Sequence, residues 1–222
     1  MRSVFLVLAV VAATAFSGVA SANTGKGGAM LIEAVTNGDL PKVREIISTG
    51  GELEARDPQG RTALLLATHA DSVEIAKALI ATGADVNAKD AINDTPFLYA
   101  GAEGRTEILK AILATGKANL KDTNRYGGTA LIPASHHGHP DAVRILLGTD
   151  IDVDHVNNLG WTALIEAVIL GDGGPIYQEI VGLLVDAGAR NIPDREGASP
   201  LDHARRNGFS EIAARIEAGP RL

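Results

Sequence analysis

Short apolar stripes with helical spacing recur along the chain, separated by glycine and polar residues. Ile75, Leu79 and Ile80 occupy positions i, i+4 and i+5, which lie on one face of a helix. The same spacing recurs further along the chain in Ile108/Ile112/Leu113 and Ile180/Leu184/Val185, and the closely related spacing i, i+3, i+4 occurs in Val143/Leu146/Leu147. A shorter apolar run precedes each stripe, so the pattern predicts a series of helix pairs.

Hydroxyl residues recur where the first helix of each pair should begin, and their side chains are expected to accept hydrogen bonds from the first helical turn. They lie about 33 residues apart, a period typical of solenoids whose units bury apolar faces by stacking. These residues are Thr62, Thr95, Thr129, Thr162 and Ser199.

The second helix of each pair is expected to end at a glycine, because glycine adopts left-handed backbone at little cost. The glycines at this position are Gly50, Gly83, Gly116 and Gly188. Asp150 takes the place in the fourth unit, which predicts either backbone strain or an altered helix end there.

Two stretches, residues 81–90 and residues 122–147 with their Gly-Gly-Thr-Ala-Leu opening, resemble the consensus of the ankyrin-repeat family. The resemblance extends over roughly residues 29–218. It implies an all-α ankyrin-repeat solenoid of about six helix-turn-helix units with short β-hairpin-like turns. The histidine usual in the family's Thr-Pro-Leu-His motif is missing, so these turns need other support; its place is taken by Leu65, Leu98, Ile132, Ile165 and Asp202.

The predicted ankyrin-repeat domain covers residues 29–222. Lys42 and Glu217 replace apolar residues in the end units, as expected of capping repeats that face water. The segment 170–177 is about five residues longer than its counterparts in the other units, and this insertion is either a working loop or a tolerated surface loop. The unit boundaries are approximately 29–58, 59–91, 92–125, 126–158, 159–195 and 196–222.

The start of the chain has the order of a secretory signal: a basic Met1-Arg2, an apolar run at residues 4–16, and small residues at 20–22. We expect residues 1–22 to be a signal peptide cleaved after Ala22, followed by a flexible lead at residues 23–28. An uncleaved anchor or a buried helix is the alternative. The composition of the signal and the resemblance to bacterial ankyrin proteins predict a periplasmic or secreted protein.

The formal net charge is −7, and no basic run interrupts the acidic average. Nucleic acid and anionic lipid are therefore not expected as partners, because phosphate binding needs clustered lysine and arginine. We expect a monomer that does not contact the membrane once the signal is removed. The chain has no cysteine, which excludes disulfides, thiolate metal sites and a lipoprotein anchor.

The sequence has no strong catalytic motif, and we expect no enzymatic activity, no catalytic residue and no cofactor. Gly25-Lys26-Gly27-Gly28 resembles a phosphate loop but lacks the following serine or threonine. His136 and His137 are adjacent and point about 100° apart on a helix, so we expect no metal site from them and His139.

The family resemblance implies a non-catalytic scaffold whose turn tips and first helices form a concave face that binds another protein. Trp161, the lone tryptophan, either contacts that partner or packs flat on the neighbouring tip. The predicted partner-binding residues are Arg61, Tyr99, Glu103, Arg125, Tyr126, His136, His137, Trp161 and Glu166.

Two alternative functions remain open at this stage. Resemblance to periplasmic ankyrin proteins connected with catalase suggests an accessory factor in oxidative-stress defence. Such a factor would handle haem or metal through the stretch His136 to His139. A secreted effector that acts on a host protein is the other alternative.

Overall fold

The computed structural model describes residues 17–219, with side chains from residue 27, and this part of the chain contains twelve helices. They follow one another as pairs joined by short turns. Their bounds are α1 Ser17–Thr36, α2 Leu40–Ser48, α3 Ala63–His69, α4 Val73–Thr82, α5 Pro96–Ala102, α6 Thr106–Ala114, α7 Leu131–His136, α8 Pro140–Leu147, α9 Ala163–Ile169, α10 Pro175–Asp186, α11 Pro200–Arg206 and α12 Ser210–Glu217.

The pairs stack side by side, so that each helix packs against its counterpart in the next pair. The first helices α3, α5, α7 and α9 form one row, and the second helices α4, α6, α8 and α10 form another. One apolar core runs between the two rows along the described part of the chain. The prediction of an all-helical solenoid is confirmed, and its stability depends on burial between neighbouring units.

The turn tips between pairs have hairpin-like backbone and a recurring Asp or Asn at their base. In each tip one side-chain Oδ1 accepts two backbone amides; for Asn157 these are the amides of Leu159 at 2.9 Å and Trp161 at 3.0 Å. The equivalent residues are Asp57, Asp90, Asn124 and Asp194. These side chains therefore support each turn from within its own tip.

Four of the five predicted helix caps are confirmed, and the fifth is wrong. The hydroxyls of Thr62, Thr95, Thr162 and Ser199 each accept a hydrogen bond from the amide three residues later. Thr129 does not, because Pro133 has no amide proton for the Thr129 carbonyl. The amide of Ile132 donates to that carbonyl instead, at 3.2 Å, and the buried Thr129 hydroxyl has no partner.

The predicted glycine ends are confirmed, since Gly50, Gly83, Gly116 and Gly188 all have positive φ. The fourth unit has an altered end without strain. Helix α8 ends at Leu147 and is followed by the C-cap Gly148 with φ −76°, and the Thr149 hydroxyl donates to the Leu146 carbonyl at 2.6 Å. The chain therefore leaves this helix without a left-handed residue at Asp150.

The insertion before α10 is packed between the units on either side. Tyr177 donates its hydroxyl hydrogen to the carbonyl of His136 in the preceding unit, at 2.8 Å. On the other side, a Cβ added to Gly173 would lie 2.3 Å from the Phe209 ring of the following unit. These contacts hold the inserted segment in place.

Helix α1 includes residues 23–28, which the sequence predicted to be a flexible lead, so this segment has helical backbone in the uncleaved chain. Residues 1–16 of the expected signal lie outside the described residues. The predicted cleavage after Ala22 stays a prediction. Within residues 17–219 no helix combines the length and hydrophobicity needed to span a membrane.

Candidate functional site

The third, fourth and fifth units form a groove between the helices α5, α7 and α9 and the tips that precede them. Its volume is about 460 Å³. We call this the central groove. Its walls are formed by Asp94, Leu98, Tyr99, Ala102, Glu103, Asn124, Arg125, Tyr126, Gly128, Ile132, Pro133, His136, His137, Asn157, Leu159, Trp161, Glu166 and Leu170.

The structure brings eight of the nine predicted partner-binding residues together in the central groove, and it places Arg61 elsewhere. The Nε of Arg61 donates to Oδ2 of Asp57 at 2.7 Å, within its own tip. This residue therefore supports the second unit's turn and does not line the groove.

Aromatic side chains form part of the groove wall. The Tyr99 ring stacks on His69 of the preceding unit, with centroids 3.7 Å apart and planes 10° from parallel. Tyr126 is 53% exposed, and the Arg125 guanidinium lies 4.7 Å from its ring centroid. Trp161 is half-buried. Tyr126 thus offers an open ring face, while Tyr99 is already stacked on one side.

Two leucines add exposed apolar area to the same groove. Leu159 is 49% exposed in the fifth unit's tip, and Leu170 is 42% exposed just after α9. With Tyr126 they give the groove three large apolar side chains that are each about half exposed. Exposed apolar groups gathered in one concavity are typical of binding sites.

Glu166 is a buried carboxylate in the groove, only 7% exposed. Its Oε1 accepts a hydrogen bond from Nδ2 of Asn157 at 2.8 Å, and its Oε2 lies 3.7 Å from Nδ1 of His136. Burial raises the pKa of Glu166, while the hydrogen bond from Asn157 and the charge of His137 partly offset this effect. Helix α9 places the side chain here because Glu166 lies one turn after the cap Thr162.

The other ionisable groups make the groove acidic. Glu103 and Asp94 join Glu166 as acids, and Arg125 is the cation opposite them. Burial raises the pKa of Asp94, and the neighbouring Asp90 raises it further. Burial lowers the pKa of His136, and the charge of His137 adds to that effect. His136 is therefore biased toward its neutral form, so the groove suits a cationic group better than an anionic one.

Sequence reasoning missed two groove residues that matter here. Asn157 is not among the predicted residues, although an Asp or Asn recurs at this position in every tip, so the repeat register indicates it. Leu170 is predicted only as part of the insertion. It occupies the register position of Glu103 and His137, eight residues after the helix-starting threonine. Alignment of the repeat units therefore indicates both Asn157 and Leu170 as groove residues.

The composition of the groove lining is that of a binding surface. Its polar groups are a few acids, imidazoles and amides set in apolar walls.

Comparisons with known proteins agree with the helix-pair architecture. A family model described as ankyrin repeats in three copies matches residues 12–90, 31–122 and 97–191. The chain belongs to the ankyrin-repeat family. It is 40% identical over 182 residues to the putative ankyrin repeat protein YahD of Escherichia coli K12, covering 81% of this chain and 90% of YahD.

Solved structures of ankyrin repeats superpose closely on this chain. The ankyrin repeat domain from Acinetobacter baumannii is 52% identical, with a TM-score of 0.81, covering 84% of this chain and 95% of that domain. The ankyrin repeat domain of Bcl-3, a member of the IkappaB family, is 27% identical with a TM-score of 0.77 and 86% coverage of both chains. Ankyrin repeats are in general non-enzymatic modules that bind other proteins.

Proposed function

We propose that this ankyrin-repeat protein is a non-catalytic scaffold that binds a partner protein in the central groove. The observation that carries the proposal is the combination of three exposed apolar side chains with a buried carboxylate in one rigid concavity. Because neighbouring units fix the groove walls, little side-chain or backbone freedom is lost on binding.

The chemistry of the groove favours a partner segment with an apolar side chain next to a lysine or arginine. The apolar group would cover Leu159, Leu170 and the Tyr126 ring. The cation would approach Glu166, whose carboxylate has one free oxygen edge facing only His136 at 3.7 Å. Pairing with a cation would offset part of the cost of keeping a charge at a site shielded from water.

The burial of Glu166 itself supports a binding role. A carboxylate that is 7% exposed with a single strong hydrogen bond lowers the stability of the fold. Nothing in the stacking of the units requires an acid here, since the equivalent position is Leu66 in the second unit and Pro133 in the fourth. A functional requirement for negative charge explains this choice.

Selection from a random peptide library displayed on phage tests this proposal. We expect wild-type protein to enrich sequences in which a lysine or arginine adjoins an aromatic or aliphatic residue. The double variant Tyr126→Ala/Trp161→Ala should lose that enrichment. Lys110→Ala, an exposed change on the second-helix row, is the matched control and should retain it.

The proposal fails if the selected sequences bind the double variant as well as the wild type. It also fails if they carry acidic residues in place of basic ones, because the groove's charge would then have no part in recognition. Circular dichroism of each variant shows whether its fold is intact, so that loss of binding is attributed to the groove.

We further propose that the protein acts in the periplasm or outside a bacterial cell. The basic start, the apolar run at residues 4–16 and the small residues at 20–22 support this location. Mass spectrometry of protein recovered from a periplasmic extract tests it. A mature chain that begins at Asn23 is expected, and recovery of only the uncleaved chain from the cytoplasm would contradict the proposal.

A further inference from the structure

We propose that Glu103, His137 and His139 form a binding site for a divalent transition metal, with Zn²⁺ as the reference ion. One ligand atom from each of these three side chains lies within 4.8 Å of the other two. The site is at the junction of the third and fourth units, and it requires their stacking because neither unit contains all three ligands.

The backbone positions of the three ligands are set by helix ends. Glu103 follows α5 as its C-cap, His137 follows α7 as its C-cap, and His139 precedes α8 as its N-cap. Gly138 turns the chain between the two histidines with φ +75°. Because of this turn, His137 and His139 do not lie on one continuous helix, so the angle of about 100° between adjacent helical side chains does not keep them apart.

His137 is oriented for metal binding by a hydrogen bond across the unit boundary. Its Nδ1 lies 2.9 Å from the backbone carbonyl of Ala102. A carbonyl oxygen can only accept, so Nδ1 carries the proton and Nε2 of the neutral ring keeps its lone pair. A metal-binding histidine ordinarily makes this kind of outer hydrogen bond, which fixes the ring and its tautomer.

His139 is held beside Gly104, the residue after the third ligand. A Cβ added to Gly104 would lie 2.8 Å from the His139 ring, so a glycine is needed for the ring to pack here. The nearby cation Arg105 lies 3.5 Å from Asp71 of the preceding unit, which offsets its positive charge.

Small side-chain rotations would complete the coordination. Tetrahedral zinc ligands are roughly 3.3 Å apart, given metal–nitrogen distances near 2.0 Å. In the structure it is Nδ1 of His137 that lies 3.3 Å from Oε1 of Glu103, so the His137 ring must turn to present Nε2 to the same ion. The two side chains are 37% and 36% exposed, which leaves them room to move. Two imidazoles and one carboxylate then leave a coordination position for water or for a partner's side chain.

This site refines the hypothesis that the stretch His136 to His139 handles metal. The sequence predicted no metal site from His136, His137 and His139; the group proposed here contains two of these histidines, and His136 is not part of it. The missing carboxylate comes from the neighbouring unit, which sequence spacing alone does not reveal. The site shares residues with the central groove but requires no protein partner.

Calorimetric titration of untagged, metal-stripped protein with Zn²⁺ tests the proposal. We expect one ion per chain. Glu103→Gln and His137→Gln should each weaken binding by at least about tenfold. His136→Gln, the adjacent imidazole outside the group, should bind as tightly as the wild type. Titration with Co²⁺ should give visible absorption bands that both ligand variants lose.

The proposal is overturned if the wild type binds no Zn²⁺ at about 1 mM, or if Glu103→Gln and His137→Gln bind like the wild type. If His137→Gln fails to fold, Glu103→Gln decides the matter, because the amide keeps the size of the half-exposed side chain and removes only the charge. Failure here leaves peptide selection by the groove untouched, since that assay contains no metal.

Discussion

Replacement of Asn157 by alanine should separate the two roles of this buried side chain. Its Oδ1 accepts the amides of Leu159 and Trp161 at 2.9 and 3.0 Å, and its Nδ2 donates to Glu166 at 2.8 Å. Each neutral hydrogen bond contributes about 1 kcal/mol to the free energy of unfolding, and one to a charged group contributes more, about 2 kcal/mol. Asn157→Ala should therefore lower that free energy by about 4 kcal/mol.

Asn124→Ala provides the matched comparison in the preceding tip. Asn124 also accepts two backbone amides, those of Tyr126 at 2.9 Å and Gly128 at 3.0 Å. Its counterpart nine residues later is Pro133, which has no side-chain group to pair with. Asn124→Ala should lower the free energy of unfolding by about 2 kcal/mol, so the difference between the two variants measures the bond to Glu166.

Urea unfolding at neutral pH, followed by circular dichroism, measures both variants. The urea dependence of each transition must match that of the wild type, so that midpoints report stability and not a change in the cooperative unit. Equal destabilisation by the two substitutions would refute the reasoning, because it would mean that the hydrogen bond from Asn157 to Glu166 contributes nothing to the folded state.

Three further outcomes follow from the same contacts. Leu146→Ala should lower the free energy of unfolding by about 2–5 kcal/mol, because Leu146 is fully buried in α8 beside Gly101 of the third unit. An unchanged urea midpoint would show that the helix register is misassigned. Thr162→Val should lower the free energy of unfolding by about 1 kcal/mol, because it removes the helix cap. Thr129→Val should leave that free energy unchanged or raise it, since the Thr129 hydroxyl is buried without a partner. Equal destabilisation of the two variants in urea unfolding would contradict this. Glu166→Gln keeps the acceptor for Asn157 and removes a carboxylate whose pKa is raised by burial, so the variant should be at least as stable as the wild type at neutral pH. Its stability advantage should shrink as pH falls through the raised folded-state pKa of Glu166 and vanish below the ordinary pKa range of glutamate. A pH-independent loss of stability in the variant would count against this reasoning.

The architecture was predictable because repetition makes one local pattern visible several times. Stripes such as Ile75, Leu79 and Ile80 fixed the second helices, and the spacing of the threonines fixed the register. The same register placed residues from three different units on one concave side, which is why eight predicted groove residues lie together. Single-unit exceptions were harder, as Thr129 shows: Pro133, four residues later, changes the hydrogen bonding of its helix start.

Contacts between side chains of different parts of the chain were not predictable from spacing alone. Asn157 pairs with Glu166 and Asp194 pairs with His203, nine residues apart in each case, at 2.8 and 2.7 Å. In the first pair the tip residue donates to the helix residue, and in the second pair the helix residue donates to the tip carboxylate. The sequence shows compatible residue types in both pairs, but only the measured distances show that they are bonded. The approach of Glu103 to His137 depends in the same way on how far one unit rotates against the next.

The affinity of a library-selected basic peptide for Glu166→Gln, measured by calorimetry alongside the wild type, tests the groove most directly. Because a cation paired with a shielded carboxylate contributes a substantial part of the binding free energy, the account predicts affinity at least about tenfold weaker for the variant, with no loss of folding stability. Unchanged affinity would contradict it, because recognition would then not involve the one buried charge that the groove maintains at a cost to the fold.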